Sequence, residues 1–188
     1  MFAEHLRRYF PDLESGQIAL LEAHWNLLLR WNNKLNLTTI TDLETAVQRH
    51  YAESLFLSAH LPPGRLRIVD IGSGPGFPGF PVAVARPDCS VTLVESHRRK
   101  AVFLREATRK LPNVQILAER AEDVTGRFDL AISRAVSYED LGSSLCRLAP
   151  RALLLTGQEP PPASLGFDWD PPIPLPWGNN RFLRRTVG

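Results

Sequence analysis

Asp70 lies near the end of an apolar run, and three glycines follow it at alternate positions, Gly72, Gly74 and Gly76, in IVDIGSGPGFPG. Glycines at this spacing let a backbone turn sharply and lie directly against a bound molecule. A formal G-x-G-x-x-G is present at Gly74, Gly76 and Gly79. The dinucleotide fingerprint, however, requires that pattern to open immediately after the strand. Here Gly72 comes first, and Asp70 stands where phosphates would be repelled. Pro78 and Pro81 remove two N–H donors from the start of the next helix, donors a phosphate would use. No Lys-Ser/Thr pair follows the glycines, which excludes a nucleoside triphosphate loop. The pattern suits a ligand that is cationic or carries hydroxyls.

Three more polar positions follow, each after a further apolar run. Glu95 ends VTLVE, where an acid can hold ribose hydroxyls or, equally, favour the next helix through its dipole. Ala121-Glu122-Asp123 comes after VQIL, where a polar residue would meet a purine edge; a plain surface loop is the alternative. Arg134 follows FDLAIS, at the carboxyl end of a strand, where ligands bind in open α/β sheets; a salt-bridging role is the alternative. Taken together, D-x-G-x-G-x-G after the first strand resembles motif I of the class I S-adenosylmethionine methyltransferases. That resemblance implies S-adenosyl-L-methionine as cofactor, with the glycines against its methionine and ribose parts. Asp70 would balance its ammonium and sulfonium.

The surroundings narrow the resemblance. WNNKLNLTTI at 31–40, His50 followed by Glu53-Ser54-Leu55, VDIGSGPGFPGFPVA, RAED, and Ser133-Arg134-Ala135-Val136 are similar to one family, the RsmG (GidB) enzymes. These methylate N7 of a guanine in bacterial small-subunit (16S) ribosomal RNA. The likeness runs over roughly residues 15–157. It implies that Gly72 and Phe77 contact the cofactor while Gly74 and Gly76 shape the turn. Ala121 and Glu122 would hold the adenine side. Arg134 would sit beside the cofactor at the mouth of the site and organise it. Phe77 read from the sequence alone is as well an anchor under the loop. Asn36, Thr38, His50 and Ser54 would hold the N-terminal part against the cofactor loop or shape the substrate entrance. No general base is expected, because guanine N7 already carries a lone pair. The implied partner is 16S ribosomal RNA or a small-subunit precursor particle, met by a monomeric protein. Two departures bear on substrate recognition. Thr156-Gly157 stands where the family has Lys-Gly, and a proline-rich segment replaces a longer antiparallel strand pair. A methyltransferase of another RNA base or a small molecule stays open, as does a non-catalytic cofactor- or RNA-binding module.

The elements that position these residues follow from periodicity. In SGQIALLEAHWNLLLRW, Ile18, Leu21, Trp25 and Leu28 recur at three- and four-residue steps, which predicts a helix. Thr41 and Glu44 form a capping-box pattern that opens a second helix, stopped by Pro62-Pro63-Gly64. From Leu66 onward the runs LRIVDI, VTLVE, VQIL, FDLAIS and ALLLT predict strands. PVAVARP, HRRKAVFLREATRKL and YEDLGSSLCRLA between them predict helices. Alternation of this kind gives an α/β fold, a Rossmann-like, mostly parallel sheet with helices on both faces. Residues 1–64 form a helical extension and 65–188 the methyltransferase core, one domain overall, with a proline-rich stretch at 157–180. That stretch is expected to be a covering loop packing Phe167, Trp169 and Trp177, and RFLRRTV to return as a final edge strand.

Bulk composition agrees with a soluble globular protein: 44% hydrophobic and 22% charged residues over 188. No apolar run is long enough to span a membrane, and MFAEHLRRYF lacks the apolar core of a signal peptide. Cys89 and Cys146 match no metal spacing and no disulfide framework, so no metal is expected and the cytoplasm is. The net charge is +2, but it is unevenly placed: Arg98, Arg99, Lys100, Arg105, Arg109 and Lys110 face one acid, Glu106. This is either a solvated helix face or a phosphate-contacting one.

Overall fold

The computed structural model describes residues 1–187. A seven-stranded sheet forms the centre, built from β1 (Arg67–Ile71), β2 (Ser90–Val94), β3 (Val114–Leu117), β4 (Leu130–Arg134), β5 (Ala152–Thr156), β6 (Ile173–Pro174) and β7 (Phe182–Arg185). Their spatial order is β3-β2-β1-β4-β5-β7-β6. The first five strands are parallel, and β7 runs antiparallel to both β5 and β6. Strand β1 is therefore a switch point: the chain builds outward through β2 and β3, then returns to build the other way through β4 and β5. Ligands bind at the carboxyl ends of strands beside such a point.

Successive side chains of a strand face opposite sides of the sheet. Ile68 joins one apolar layer and Val69 the other; Leu153 and Leu155 join the first, Ala152 and Leu154 the second. Both faces are thus covered, and β1, β2, β4 and β5 read as nearly continuous apolar runs for that reason. The first layer is the helices of residues 1–64 together with α5 (Gly79–Ala85) and α6 (Arg98–Ala107). The second contains α7 (Tyr138–Leu141) and α8 (Ser144–Leu148). YEDLGSSLCRLA forms these two short helices rather than one, because Gly142 adopts φ 42° and breaks the hydrogen-bond ladder.

In the N-terminal part, α1 spans Phe2–Arg7 and α2 spans Ser15–Leu35, which buries the stripe Ile18, Leu21, Trp25, Leu28. Asn36 ends α2 in the left-handed region at φ 47°. The second helix starts one residue later than the capping-box reading. Asp42, not Thr41, is the cap, and its carboxylate accepts the Thr45 N–H at 2.8 Å. Glu44 instead makes an exposed pair with Arg8, 3.6 Å apart. From Leu43 the chain is helical to Ala59. It comprises α3 (Leu43–Ala46), a wider π-helical turn over Val47–Ala52, and α4 (Glu53–Ala59).

The C-terminal expectation needs one correction. RFLRRTV does return as a strand, but β7 is not the edge. The edge is β6, two residues of the proline-rich segment paired through Ile173 and Pro174. A proline cannot donate to a ladder, so the outermost position is the one it tolerates. Phe167 and Trp169 pack edge-to-face at 5.8 Å on the second layer. Trp177 meets Tyr9, Phe10 and Phe56, which fastens the segment to the N-terminal helices.

Candidate active site

The glycine loop between β1 and α5 is pinned at both ends. Gly72 and Ser73 each donate a backbone N–H to Val94 O at 3.0 Å. Gly72, Gly74 and Gly76 all have positive φ (71°, 56° and 100°), a turn that residues with a Cβ rarely adopt. A Cβ on Gly74 would meet nothing closer than Gly72 O at 4.0 Å, so this part of the loop faces open space. Gly79 is the reverse case. Its Cβ would lie 2.2 Å from Leu93 Cδ2 and 2.6 Å from Asp70 Oδ2. Asp70 explains the need: fully buried, it accepts the Gly79 N–H through Oδ2 at 2.9 Å and so holds the start of α5. Its Oδ1 is buried without a hydrogen-bond partner. Burial pushes the Asp70 carboxyl up to about 7, although the nearby Ser73 hydroxyl and the Gly79 N–H pull the other way.

Glu95 is also turned toward the loop. Oε2 accepts the Gly74 N–H at 2.9 Å and Oε1 accepts the His97 N–H at 2.7 Å, which ties the loop to the first turn of α6. Beside it opens a cleft of about 360 Å3, lined by Ile71, Gly72, Val94, Ser96, the 119–122 turn, Val136 and Asp140. Ala121 and Glu122 face this cleft, and among the described residues their backbone N–H groups have no acceptor. Their turn is rigid for a reason the sequence did not disclose. Arg147 donates to Val124 O at 2.8 Å and to Ala121 O at 2.7 Å.

A second cleft, of about 430 Å3, lies over the carboxyl ends of β4 and β5 and is lined by residues 135–138, 155–159 and Arg181. Val136 lines both clefts, and its Cγ2 sits 2.5 Å from where a Gly72 Cβ would be. The two clefts therefore flank the switch point, one on each half of the sheet. A third, of about 470 Å3, lies between α2 and α6, where neither the glycine loop nor a strand end contributes.

Two expected residues take positions away from the open clefts. Phe77 is buried under the N-terminal helices, where the His50 ring stacks on it at 4.6 Å and 16° and Tyr51 meets it edge-on. Arg134 was expected at the mouth of the site, but its guanidinium lines neither cleft. It lies over the Phe77 ring at 5.2 Å, bonds His50 Nδ1 at 2.8 Å and donates to Arg49 O. The physical cause is Glu53, a carboxylate with no exposed surface. Arg181 holds it at 2.7 and 3.2 Å, Arg49 lies 3.3 Å away and Arg134 4.0 Å away. Burial lowers Arg134 to about 10 against the opposing pull of Glu53.

The histidines lock the extension to the loop. Arginine only donates, so His50 Nδ1 accepts, and Nε2 carries the proton that meets Thr38 Oγ1 at 2.9 Å. Ser54 Oγ donates to His50 O at 2.5 Å. His24, which no motif marked, meets Pro75 O through Nε2 at 2.9 Å, and its Nδ1 accepts from Tyr51 Oη at 2.8 Å. Burial lowers His24 to about 4 and His50 to about 3, so both are neutral.

Comparison with known proteins bears on this arrangement. The family described as "rRNA small subunit methyltransferase G" matches residues 17–153. The chain is similar to the ribosomal RNA small subunit methyltransferase G of Chromobacterium violaceum, 42% identical over 130 residues, covering 67% of this chain and 62% of the relative. It spans about six-tenths of the length of the curated relatives it matches. Among solved structures it is similar to a putative RNA methyltransferase from Pyrococcus horikoshii, with TM-score 0.63 and 13% identity, over 93% of this chain and 98% of that one. It is also similar to magnesium protoporphyrin IX methyltransferase from Synechocystis, solved with S-adenosylmethionine bound, with TM-score 0.60 and 14% identity, over 88% and 97%. These two likenesses show the fold, that of class I methyltransferases.

Proposed function

The chain belongs to the rRNA small subunit methyltransferase G family, and on that premise we propose that it transfers a methyl group from S-adenosyl-L-methionine to N7 of a guanine in 16S ribosomal RNA. The observation that carries the reading is the pair of clefts on either side of the switch point, joined at Val136. One offers a place for a donor and the other a place for an acceptor.

The residues present fit the cofactor. Asp70 lies fully buried beneath the loop with Oδ1 unpaired, so its carboxylate acts on a cationic group through the loop rather than by contact. The space over Gly74 is open, and the N–H groups of Ala121 and Glu122 are free to meet a purine edge. S-adenosyl-L-methionine supplies a methyl group on a sulfonium, activated by its own positive charge. Guanine N7 carries an available lone pair, so no residue has to remove a proton first. The task of the chain is alignment and exclusion of water. Glu95 holds the loop to α6, and Arg147 holds the 121–124 turn. Arg134 organises the site from behind, through Phe77 and His50, rather than by touching substrate.

The substrate is 16S ribosomal RNA or a small-subunit precursor particle, met by a monomer in the cytoplasm. Residues 1–64 serve as the helical extension and 65–188 as the methyltransferase core. No helix among the described residues is long and apolar enough to cross a membrane. Arg98, Arg99 and Lys100, which follow the cleft wall at Ser96, and Arg120 are placed to meet phosphates. The test is incubation with methyl-labelled S-adenosyl-L-methionine and small-subunit RNA lacking the modification, free and assembled, followed by mapping of the labelled base. Label on a single guanine N7 is expected. No label on any RNA, with cofactor binding intact, would sink the reading.

A further inference from the structure

We infer that the cleft over β4 and β5 selects the acceptor base, with the Glu159 carboxylate taking hydrogen bonds from the Watson–Crick edge of guanine; this rests on the methyl-transfer reading above. The cleft encloses about 430 Å3, within the range of small-molecule pockets, and stands across Val136 from the cofactor cleft. Its outer wall is the strip Gln158–Glu159, and the strip is held from two sides. Tyr138 Oη donates to Glu159 O at 2.8 Å. Arg184, nearly buried, donates to Gln158 O at 3.1 Å and to Thr156 Oγ1 at 3.1 Å. Among the described residues Arg184 pairs with no carboxylate, so it puts an uncompensated positive charge behind the strip.

Both backbone carbonyls of the strip are thus occupied. Thr156, in place of the lysine of the resemblance, is itself an acceptor for Arg184. What the strip still presents are the Gln158 amide and the Glu159 carboxylate, both exposed and without a side-chain hydrogen bond or ion pair among the described residues; of the two, only the carboxylate is an acceptor at both of its atoms. An ionised carboxylate only accepts. The Watson–Crick edge of a purine adjoins the edge that carries N7, and in guanine the N2 amino group is its part farthest from N7, so a base with N7 toward Val136 lays that edge along the cleft with N2 turned away from Val136. Guanine offers two donors there, N1–H and the N2 amino group. Adenine offers an acceptor and one amino group. A carboxylate therefore pairs bidentately with guanine and not with adenine, while Tyr138 offers an aromatic wall for the flipped base.

The test is equilibrium binding of guanosine 5′-monophosphate and inosine 5′-monophosphate to protein saturated with S-adenosylhomocysteine. Inosine lacks only the N2 amino group. The wild-type chain is expected to prefer guanosine monophosphate by about tenfold. Glu159→Ala, at an exposed side chain whose loss leaves the fold intact, is expected to bind both nucleotides equally, and more weakly than the wild-type chain binds inosine monophosphate, with S-adenosylhomocysteine affinity unchanged. A wild-type chain with no preference, or a variant that keeps it, overturns the assignment. If no RNA accepts methyl label while the preference is present and vanishes with Glu159, the methyl-transfer reading fails and the base pocket stands.

Discussion

Asp70 and Glu53 are both carboxylates with no exposed surface, yet their surroundings are opposite. Glu53 faces three guanidinium groups, from Arg49, Arg134 and Arg181, and both of its oxygens are engaged. Asp70 accepts one backbone N–H, and its other oxygen is left without a partner. Equal burial therefore does not mean an equal role. The saturated carboxylate ties Arg49, Arg134 at the end of β4 and Arg181 of the C-terminal segment together. The unsaturated one lies beneath a loop whose backbone faces open space at Gly74. A buried polar atom left unpaired is costly, and it is tolerated where function requires it.

The largest expected effect comes from breaking the saturated node. Glu53→Ala leaves three partly buried guanidinium groups facing one another and is expected to cost about 3–5 kcal/mol. Denaturant unfolding measures it. A loss below about 1 kcal/mol would mean that the cluster is held by packing and not by charge.

A smaller effect sharpens the contrast through pH. His24 and His50 have folded-state pKa values of about 4 and about 3, below the ordinary value of 6.5. Their contribution is fully present above pH 6.5 and is lost as pH falls toward 4, by on the order of 1.4 kcal/mol per pH unit for each. Asp70, raised to about 7 from 3.8, acts in the opposite sense. Without ligand, its contribution is present below pH 4 and falls as pH rises toward 7. His24→Gln is expected to unfold more easily at pH 7 but to lose less on acidification to pH 4.5. An unchanged acid slope in thermal melts would contradict the assignment of His24 as a neutral tie to Pro75.

The same contrast governs what could be read from the sequence. The half of the sheet carrying the glycine loop was legible, because its signals are local: alternate glycines, an acid at a strand end, apolar runs of strand length. His24 was not singled out, and Glu53 stood in a quoted motif without a role, although both are buried on their helices. A polar residue at a core position of a helical period was the available signal. Arg181 and Arg147 could not be found this way, since their partners lie 128 and 23 residues away along the chain. Arg134 was located correctly along the chain but not in direction. Its guanidinium turns to Glu53 and His50, and no local pattern encodes that choice. The edge strand was misplaced for a related reason: proline content argued against pairing, while an outermost two-residue strand needs little.

The central claim is that the buried, incompletely paired Asp70 carboxylate beneath the glycine loop favours a cationic ligand held over that loop. Calorimetric titration with S-adenosyl-L-methionine at pH 5.5 and pH 7.5, on the wild-type chain and on Asp70→Asn, tests it most directly. The account predicts wild-type binding about tenfold tighter at pH 7.5, proton release on binding chiefly at pH 5.5, and an Asp70→Asn variant that binds more weakly and equally at both values. Equal wild-type affinity at the two pH values, or a variant that binds as well as wild type, would contradict it.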